Sequence, residues 1–127
     1  MTDDEKWVFT WLGYGKIVEI QKARIQVELT WGAKLYIAPY LAHSTINFSV
    51  KSFAQTKKLL DFQWGIMEDF SALFKLLYKQ LAPGPDFQVN LYLPRGQLLK
   101  IKGSDTPLSL RMKTGAKLIA VTKQCSD

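Results

Sequence analysis

Apolar and polar residues alternate with a period of two along much of the chain, and this pattern predicts mainly β-strands. In residues 24–30, Ile25, Val27 and Leu29 alternate with polar side chains, as in a strand with one buried face. Further segments rich in β-branched and aromatic residues, separated by glycines, predict short strands at 7–11, 16–20 and 34–37. Pro39 then ends the sheet, so this part of the chain is predicted to be a β-meander.

The second half opens with another alternating segment. Ile46, Phe48 and Val50 alternate with polar residues and predict a strand that runs into a polar stretch at 55–58, interpreted as a hairpin turn. The next strand, at 59–64, carries its apolar residues on one face. The two strands are therefore predicted to form a β-hairpin.

After the hairpin the apolar positions take helical spacing. They fall at i, i+3, i+4, i+7 and i+11 and form one stripe along a helix, made of Phe70, Leu73, Phe74, Leu77 and Leu81. Glu68 and Asp69 are expected in the first turn, and Lys75 and Lys79 toward the end, where each charge favours the helix dipole. The sequence Ala-Pro-Gly-Pro at 82–85 ends the helix.

Alternation returns after the helix. Apolar residues at every second position predict a strand at 87–93, followed by a turn at 94–96 and two further strands at 98–101 and 117–122. The predicted order of the second half is therefore β-β-α-β-β-β.

Three of these segments carry a family resemblance. Residues 46–53, 90–98 and 116–121 resemble, respectively, the first strand, the third strand with its turn and fourth strand, and the last strand of ubiquitin. The resemblance implies an α+β fold in which a ubiquitin-like β-grasp domain (46–122) follows a short SH3-like β-meander (1–43) and precedes a flexible tail (123–127). Conjugatable relatives end in Gly-Gly and this chain does not, so the implied domain is a built-in, non-conjugatable interaction module.

The same resemblance implies a binding surface. The apolar patch of ubiquitin matches Phe53, Tyr92, Ile119 and Val121, and strand alternation predicts that these residues face away from the core. Two alternatives remain open. Either the patch recruits a partner, or the N-terminal meander packs over it, because a short meander needs an apolar surface to pack against.

The N-terminal segment is similar to small SH3-like barrels of the Tudor, KOW and CarD type, through Gly13-Tyr14-Gly15-Lys16 and the strand that ends before Pro39. The glycines suit a tight turn before the second strand. The related CAP-Gly family carries a Gly-Lys-Asn-Asp-Gly motif that this chain lacks. Tubulin-folding cofactors combine a CAP-Gly module with a ubiquitin-like one, which keeps tubulin as a minor candidate partner.

Aromatic residues crowd the N-terminal segment, at Trp7, Trp11, Tyr14, Trp31 and Tyr36. Such side chains suit a cage for methylated lysine or arginine, through cation–π attraction, or a stacking platform for single-stranded nucleic acid. The alternative, which we favour from the sequence, is that they form the core of a small domain.

The chain has few of the residues that most catalytic and metal sites need. It has one cysteine and one histidine, Cys125 and His43, too few for a structural zinc site, and no carboxylate lies close in sequence to orient the imidazole. No catalytic residue, metal or cofactor is therefore expected. No apolar run approaches the roughly 20 residues that cross a bilayer, and the first residues are acidic, unlike a signal peptide. A cytoplasmic or nuclear protein without a membrane partner is expected.

Charge leaves two classes of function open. The net charge of +6 suits an acidic partner, although the lysines occur singly or in pairs, as a solvated basic surface would have them. We expect a non-enzymatic protein-interaction module that docks onto a larger protein or complex. The alternative is a nucleic-acid or chromatin reader that uses the basic surface and the N-terminal aromatic residues.

Overall fold

The structure, a computed structural model, describes residues 6–52, 59–82 and 84–124. Its N-terminal part is a four-stranded antiparallel sheet in which neighbouring strands follow one another in sequence, made of β1 (Trp7–Thr10), β2 (Gly13–Ile20), β3 (Ile25–Leu29) and β4 (Lys34–Ile37). We call it the first sheet. A 3-10 turn at Pro39–Leu41 connects it to the rest of the chain.

The second sheet has five strands in the order β6-β5-β9-β7-β8. They are β5 (Thr45–Ser52), β6 (Leu59–Gly65), β7 (Phe87–Arg95), β8 (Gln97–Ile101) and β9 (Ala116–Gln124). The central pair β5 and β9 is parallel, and the other pairs are antiparallel. Two helices complete this part, α1 (Ser71–Leu81) and the four-residue α2 (Pro107–Leu110). The predicted hairpin turn at 55–58 lies outside the described residues.

The predicted fold class, an α+β ubiquitin-like β-grasp, is wrong. The protein is mostly β, with 52% strand and 16% helix, and α1 is the only helix of seven or more residues in the described part of the chain. The helical stripe in the sequence gives a helix of only 11 residues. Several strands, in contrast, run beyond their predicted bounds, as β2, β7 and β9 do, so strands outweigh helix in the described part of the chain.

Helix α1 packs through the predicted stripe but begins later than predicted. Leu73, Leu77 and Leu81 are buried, as helical spacing requires for a helix lying on a sheet. Glu68 and Asp69 do not lie in the first turn, because the helix begins only at residue 71.

Asp69 instead acts just before the helix. Its Oδ1 accepts hydrogen bonds from the Oγ of Ser71 at 2.6 Å and from the backbone N–H of Ser71 at 3.2 Å. Both bonds lower the pKa of the Asp69 carboxyl, and the bond from the Ser71 hydroxyl has the larger effect. The carboxylate therefore holds the chain at the start of α1 from outside the first turn.

The apolar residues form two clusters. The main core lies between α1 and the helix-facing side of the second sheet, and it also takes in two residues of the first sheet, Phe9 and Tyr14. A smaller core lies on the opposite face of the first sheet and consists of Val8, Ile25, Val27, Leu29 and Ile37. The first sheet therefore buries one face in its own cluster and contributes part of the other face to the main core.

The contact between the sheets combines hydrogen bonds with ring packing. The backbones of Phe9 and His43 exchange two hydrogen bonds, at 2.7 and 2.9 Å, next to the start of β5. The ring centroids of Phe9 and Tyr14 lie 5.0 Å apart. The buried Tyr14 hydroxyl donates to the carbonyl of Met112 at 2.5 Å. Residues 98 positions apart in sequence are thereby joined at one buried point.

Two glycines shape the entry to β2. Gly13 has a φ of +115°, a conformation that side chains with a Cβ rarely adopt. A Cβ at Gly15 would lie 2.6 Å from Cγ1 of Val27 and 2.7 Å from the carbonyl oxygen of Glu28. The first glycine therefore makes the turn, and the second lets β2 approach β3 closely.

Replacing Leu77 should test how α1 packs on the second sheet. Leu77 is fully buried in the main core, so Leu77→Ala should lower the free energy of unfolding by about 2–5 kcal/mol, the usual range for such a cavity. Leu76→Ala, on the 43% exposed neighbour, is the control and should cost less than about 1 kcal/mol. Urea unfolding followed by circular dichroism measures both. Equal losses would contradict the packing described here.

Replacing Tyr14 should test the junction between the sheets. Tyr14→Phe keeps the ring but removes the donor to Met112, so it should cost about 1–3 kcal/mol because a buried carbonyl loses its partner. Tyr36→Phe, at an exposed ring on the same sheet, should change the free energy of unfolding by less than about 0.5 kcal/mol. A Tyr14→Phe protein as stable as the Tyr36→Phe control would show that this bond does not hold the sheets together.

Candidate functional site

The side of the second sheet that faces away from α1 carries three of the four residues predicted to form a binding patch. Tyr92 and Ile119 each lie between two buried residues of their strand, and Val121 directly follows a buried one. Because side chains alternate along a strand, these three residues turn away from the main core. We call this side the outer face. The fourth predicted residue, Phe53, lies outside the described residues.

Strand register brings these residues together. Tyr92 and Ile119 are direct partners on the neighbouring strands β7 and β9, and side chains so placed lie about 4.5–5.5 Å apart at Cβ. Val121 pairs with Asn90, one step along the same face. Tyr92 and Ile119 are half-buried, and Val121 is 38% exposed.

A continuous row crosses the outer face through this pair. Following the register from one edge strand to the other gives Leu59, Lys51, Ile119, Tyr92 and Lys100. The half-buried Ile119 and Tyr92 lie between the two lysines of the row, and Leu59, which is 65% exposed, lies at its edge. The four strand spacings of the row span about 19 Å. This is the width of a surface that a peptide segment or a helix of another protein can cover.

The first sheet does not pack over this patch. Tyr92, Ile119 and Val121 belong to neither apolar cluster, nor to the half-buried residues packed against them. Phe9 and Tyr14 of the first sheet join the main core on the opposite side, and the half-buried Trp7 packs against it. Among the described residues, the first sheet therefore meets the main core on the side away from this patch.

A basic pocket adjoins the outer face at the end of β7 and the start of β9. It has a volume of about 470 Å³, and its lining consists of Leu93, Pro94, Arg95, Arg111, Met112, Lys113, Ala116 and Lys117. Four of these residues are cations with exposed side chains, and the described lining includes no carboxylate. Because like charges are gathered in one concavity, the pocket attracts anions.

The backbone of the basic pocket is held by specific contacts. Arg95 donates from Nη2 to the carbonyl of Arg111 at 3.1 Å. Arg111 ends α2 in the left-handed conformation, with φ 51° and ψ 45°, which is uncommon for a residue other than glycine. Behind the pocket, the Tyr14 hydroxyl binds the carbonyl of Met112. Burial raises the pKa of the Tyr14 phenol, and the positive charge of Arg95 opposes part of that rise.

The five N-terminal aromatic residues do not converge on one cage. Tyr14 is 4% exposed and belongs to the main core, so it cannot present its ring to a ligand. Trp7 lies on β1 and Tyr36 on β4, the two edge strands of the first sheet. Three strand spacings, about 14 Å, separate those strands.

Each of these two rings has a cation of its own chain beside it. Nζ of Lys16 lies 5.7 Å from the ring centroid of Trp7, and the guanidinium carbon of Arg24 lies 5.2 Å from that of Tyr36. The cation–π contacts expected of a cage are thus made within the protein.

Trp11 and Trp31 are exposed at one end of the first sheet. They lie in the β1–β2 and β3–β4 turns, which meet at that end, and are 60% and 65% exposed. The indole N–H of Trp31 donates to the carbonyl of Leu12 at 3.3 Å, which ties the two turns together. These two indoles are the part of the predicted aromatic set that shares one accessible surface.

Sequence reasoning missed the basic pocket and the full row across the outer face. The pair Lys113 and Lys117 is visible in the sequence, but Arg95 lies in a different turn and Arg111 ends a helix of only four residues. One local signal was available. Thr106 and Ser109 form a capping box, which marks the start of α2 and so places Arg111 at its end.

A scan against models of protein families found no match, and no curated protein sequence matches the chain. Within the described residues, neither helix is long and apolar enough to cross a membrane.

Proposed function

We propose that the protein is a non-enzymatic interaction module that docks onto a larger protein or complex through the outer face of the second sheet. The observation that carries this proposal is the direct pairing of Tyr92 with Ile119 in a row of residues that spans all five strands of the second sheet.

The composition of the outer face suits a protein partner. Interface centres are rich in tyrosine and apolar side chains, and a polar rim surrounds them. Here Tyr92, Ile119 and Val121 occupy the middle strands, whereas Lys51 and Lys100 flank them in the same row. A tyrosine in the middle of such a patch supplies a large contact area with few rotatable bonds.

The same face suits single-stranded nucleic acid less well. Nucleic-acid platforms stack successive bases on several aromatic rings, whereas Tyr92 is the only aromatic residue among the described positions of this face. Ile119 and Val121 offer aliphatic surface in its place. We therefore keep the nucleic-acid reader as the alternative function. Tubulin remains one candidate partner of the proposed interaction module. The proposed site of action is the cytoplasm or the nucleus.

A double substitution on the outer face tests the proposal. Tyr92→Ala with Val121→Asp removes the ring and places a charge in the patch, so partner binding should fall by at least about tenfold, as for an interface hot spot. The melting temperature should fall much less than in Leu77→Ala, because Tyr92 is only half-buried and Val121 is exposed, whereas Leu77 is fully buried. Proteins retained from a cell extract are identified, and binding of the purified partner is then measured by calorimetry.

The matched control carries the same substitutions on the first sheet. Tyr36→Ala with Val18→Asp changes two side chains that are 51% and 47% exposed and should bind like the wild type. If both double variants bind the partner equally well, the outer face is not the docking surface. A melting temperature lowered only in the outer-face variant would mean that the patch is an internal contact.

Salt separates the proposal from its alternative. Phosphate contacts release counterions, so nucleic-acid binding weakens steeply between about 50 and 200 mM salt, by factors of 10³ or more for several contacts. Docking through an apolar patch should change far less over that range. Binding of a labelled oligonucleotide and of the purified partner is measured in parallel. Tight oligonucleotide binding that weakens steeply with salt would favour the alternative.

A further inference from the structure

The basic pocket and the outer face are parts of one continuous surface. Lys117 lines the pocket and lies two residues before Ile119 on β9, so alternation turns both side chains to the outer face. Ser49 is the partner of Lys117 on β5, as Lys51 is of Ile119. A partner seated on the Tyr92 and Ile119 pair would therefore extend directly to the pocket.

We propose that the basic pocket binds an acidic peptide segment of the docked partner, in which aspartate or glutamate residues flank an apolar side chain. This inference rests on the proposed function and adds the chemistry of the partner to it. The segment would lie beyond the part of the partner that covers the apolar patch.

The charge of the pocket favours carboxylates. Arg95, Arg111, Lys113 and Lys117 surround one concavity whose described lining holds no acidic residue, so their attraction for an anion adds up. All four side chains are exposed, and exposed charges are screened by salt. Their main effect is therefore to attract and orient an acidic segment, more than to bind it tightly.

The geometry of the two arginines prepares the pocket for a carboxylate. Arg95 uses Nη2 for the carbonyl of Arg111, while a guanidinium has five N–H donors in a fixed plane. Donors therefore remain for a carboxylate, which arginine can bind through two parallel hydrogen bonds.

The floor of the pocket favours a peptide over nucleic acid. Leu93 and Met112 are buried, and Pro94 and Ala116 complete an apolar lining that suits an aliphatic side chain. A nucleotide base would need an aromatic ring to stack on. Tyr14 is the ring joined to the pocket floor, and it is buried with its hydroxyl bound to Met112.

Charge reversal in the pocket tests the inference. The pocket variant carries Lys113→Glu with Lys117→Glu, and the control carries Lys22→Glu with Lys75→Glu, two exposed lysines on other parts of the fold. Both variants change the net charge equally.

The probe is fluorescently labelled poly-L-glutamate of about 20 residues, measured by anisotropy at fixed salt. We expect about tenfold weaker binding for the pocket variant and less than threefold for the control, since only the first removes close charge pairs. Equal losses would overturn the inference, because net charge alone would explain them.

A second probe identifies the class of ligand. A single-stranded oligothymidylate of about 20 nucleotides is titrated under the same conditions. If it binds more tightly than poly-L-glutamate, and if the pocket variant loses that binding, the occupant is a phosphate backbone and the peptide assignment is wrong.

Chemical-shift mapping on the wild-type protein makes the test independent of any variant's folding. Poly-L-glutamate should shift the amides of Arg95, Arg111, Lys113 and Lys117, and shifts that miss these residues would refute the site.

The outer-face variant keeps this test separate from that of the proposed function. Tyr92→Ala with Val121→Asp leaves all four cations of the pocket in place, so it should bind poly-L-glutamate within about threefold of the wild type while losing the partner. If the pocket variant also loses partner binding, that result would support a docking surface made of the outer face and the basic pocket together. A pocket variant that binds the purified partner as the wild type does would overturn the pocket's role in docking, while the outer face could still stand.

Discussion

The buried hydrogen bond from Tyr14 to Met112 is the contact on which the arrangement of this protein depends. It closes a junction in which Phe9 and Tyr14 of the first sheet enter the main core of the second. A buried carbonyl without a donor costs free energy, so this bond favours the observed arrangement of the two sheets. Sheets of four and five strands thereby become a single packed unit, although each also buries apolar surface of its own.

That junction decides which surfaces remain accessible. Because the first sheet meets the main core through Phe9 and Tyr14, it leaves the outer face of the second sheet uncovered. Met112, bound by Tyr14 on one side, forms part of the floor of the basic pocket on the other. One contact between the sheets therefore supports the floor of the pocket and leaves the adjoining apolar patch open. An apolar patch supplies contact area, and neighbouring cations supply orientation and speed of encounter.

The candidate site was predictable only in part. The period of two along a strand decides which face a side chain takes, so alternation was enough to predict that Tyr92, Ile119 and Val121 turn away from the core. Their direct pairing depends on the register between β7 and β9, which the sequence alone does not state. The basic pocket was beyond sequence reasoning, because its arginines are 16 residues apart and meet only where a hairpin and a short helix end side by side.

The sequence by itself determined the local elements, because strand alternation, helical spacing and turn residues act between near neighbours. The strands of both halves and the helix through Leu73 and Leu77 are present where these patterns predict them, although α1 starts after Glu68 and Asp69. The fold class was decided by tertiary structure. How much sheet the chain forms depends on which short strands pair, and the pairing of the N-terminal strands makes the protein mostly β. The position of the first sheet depends on Tyr14 meeting a carbonyl 98 residues away, a long-range contact that no local pattern contains.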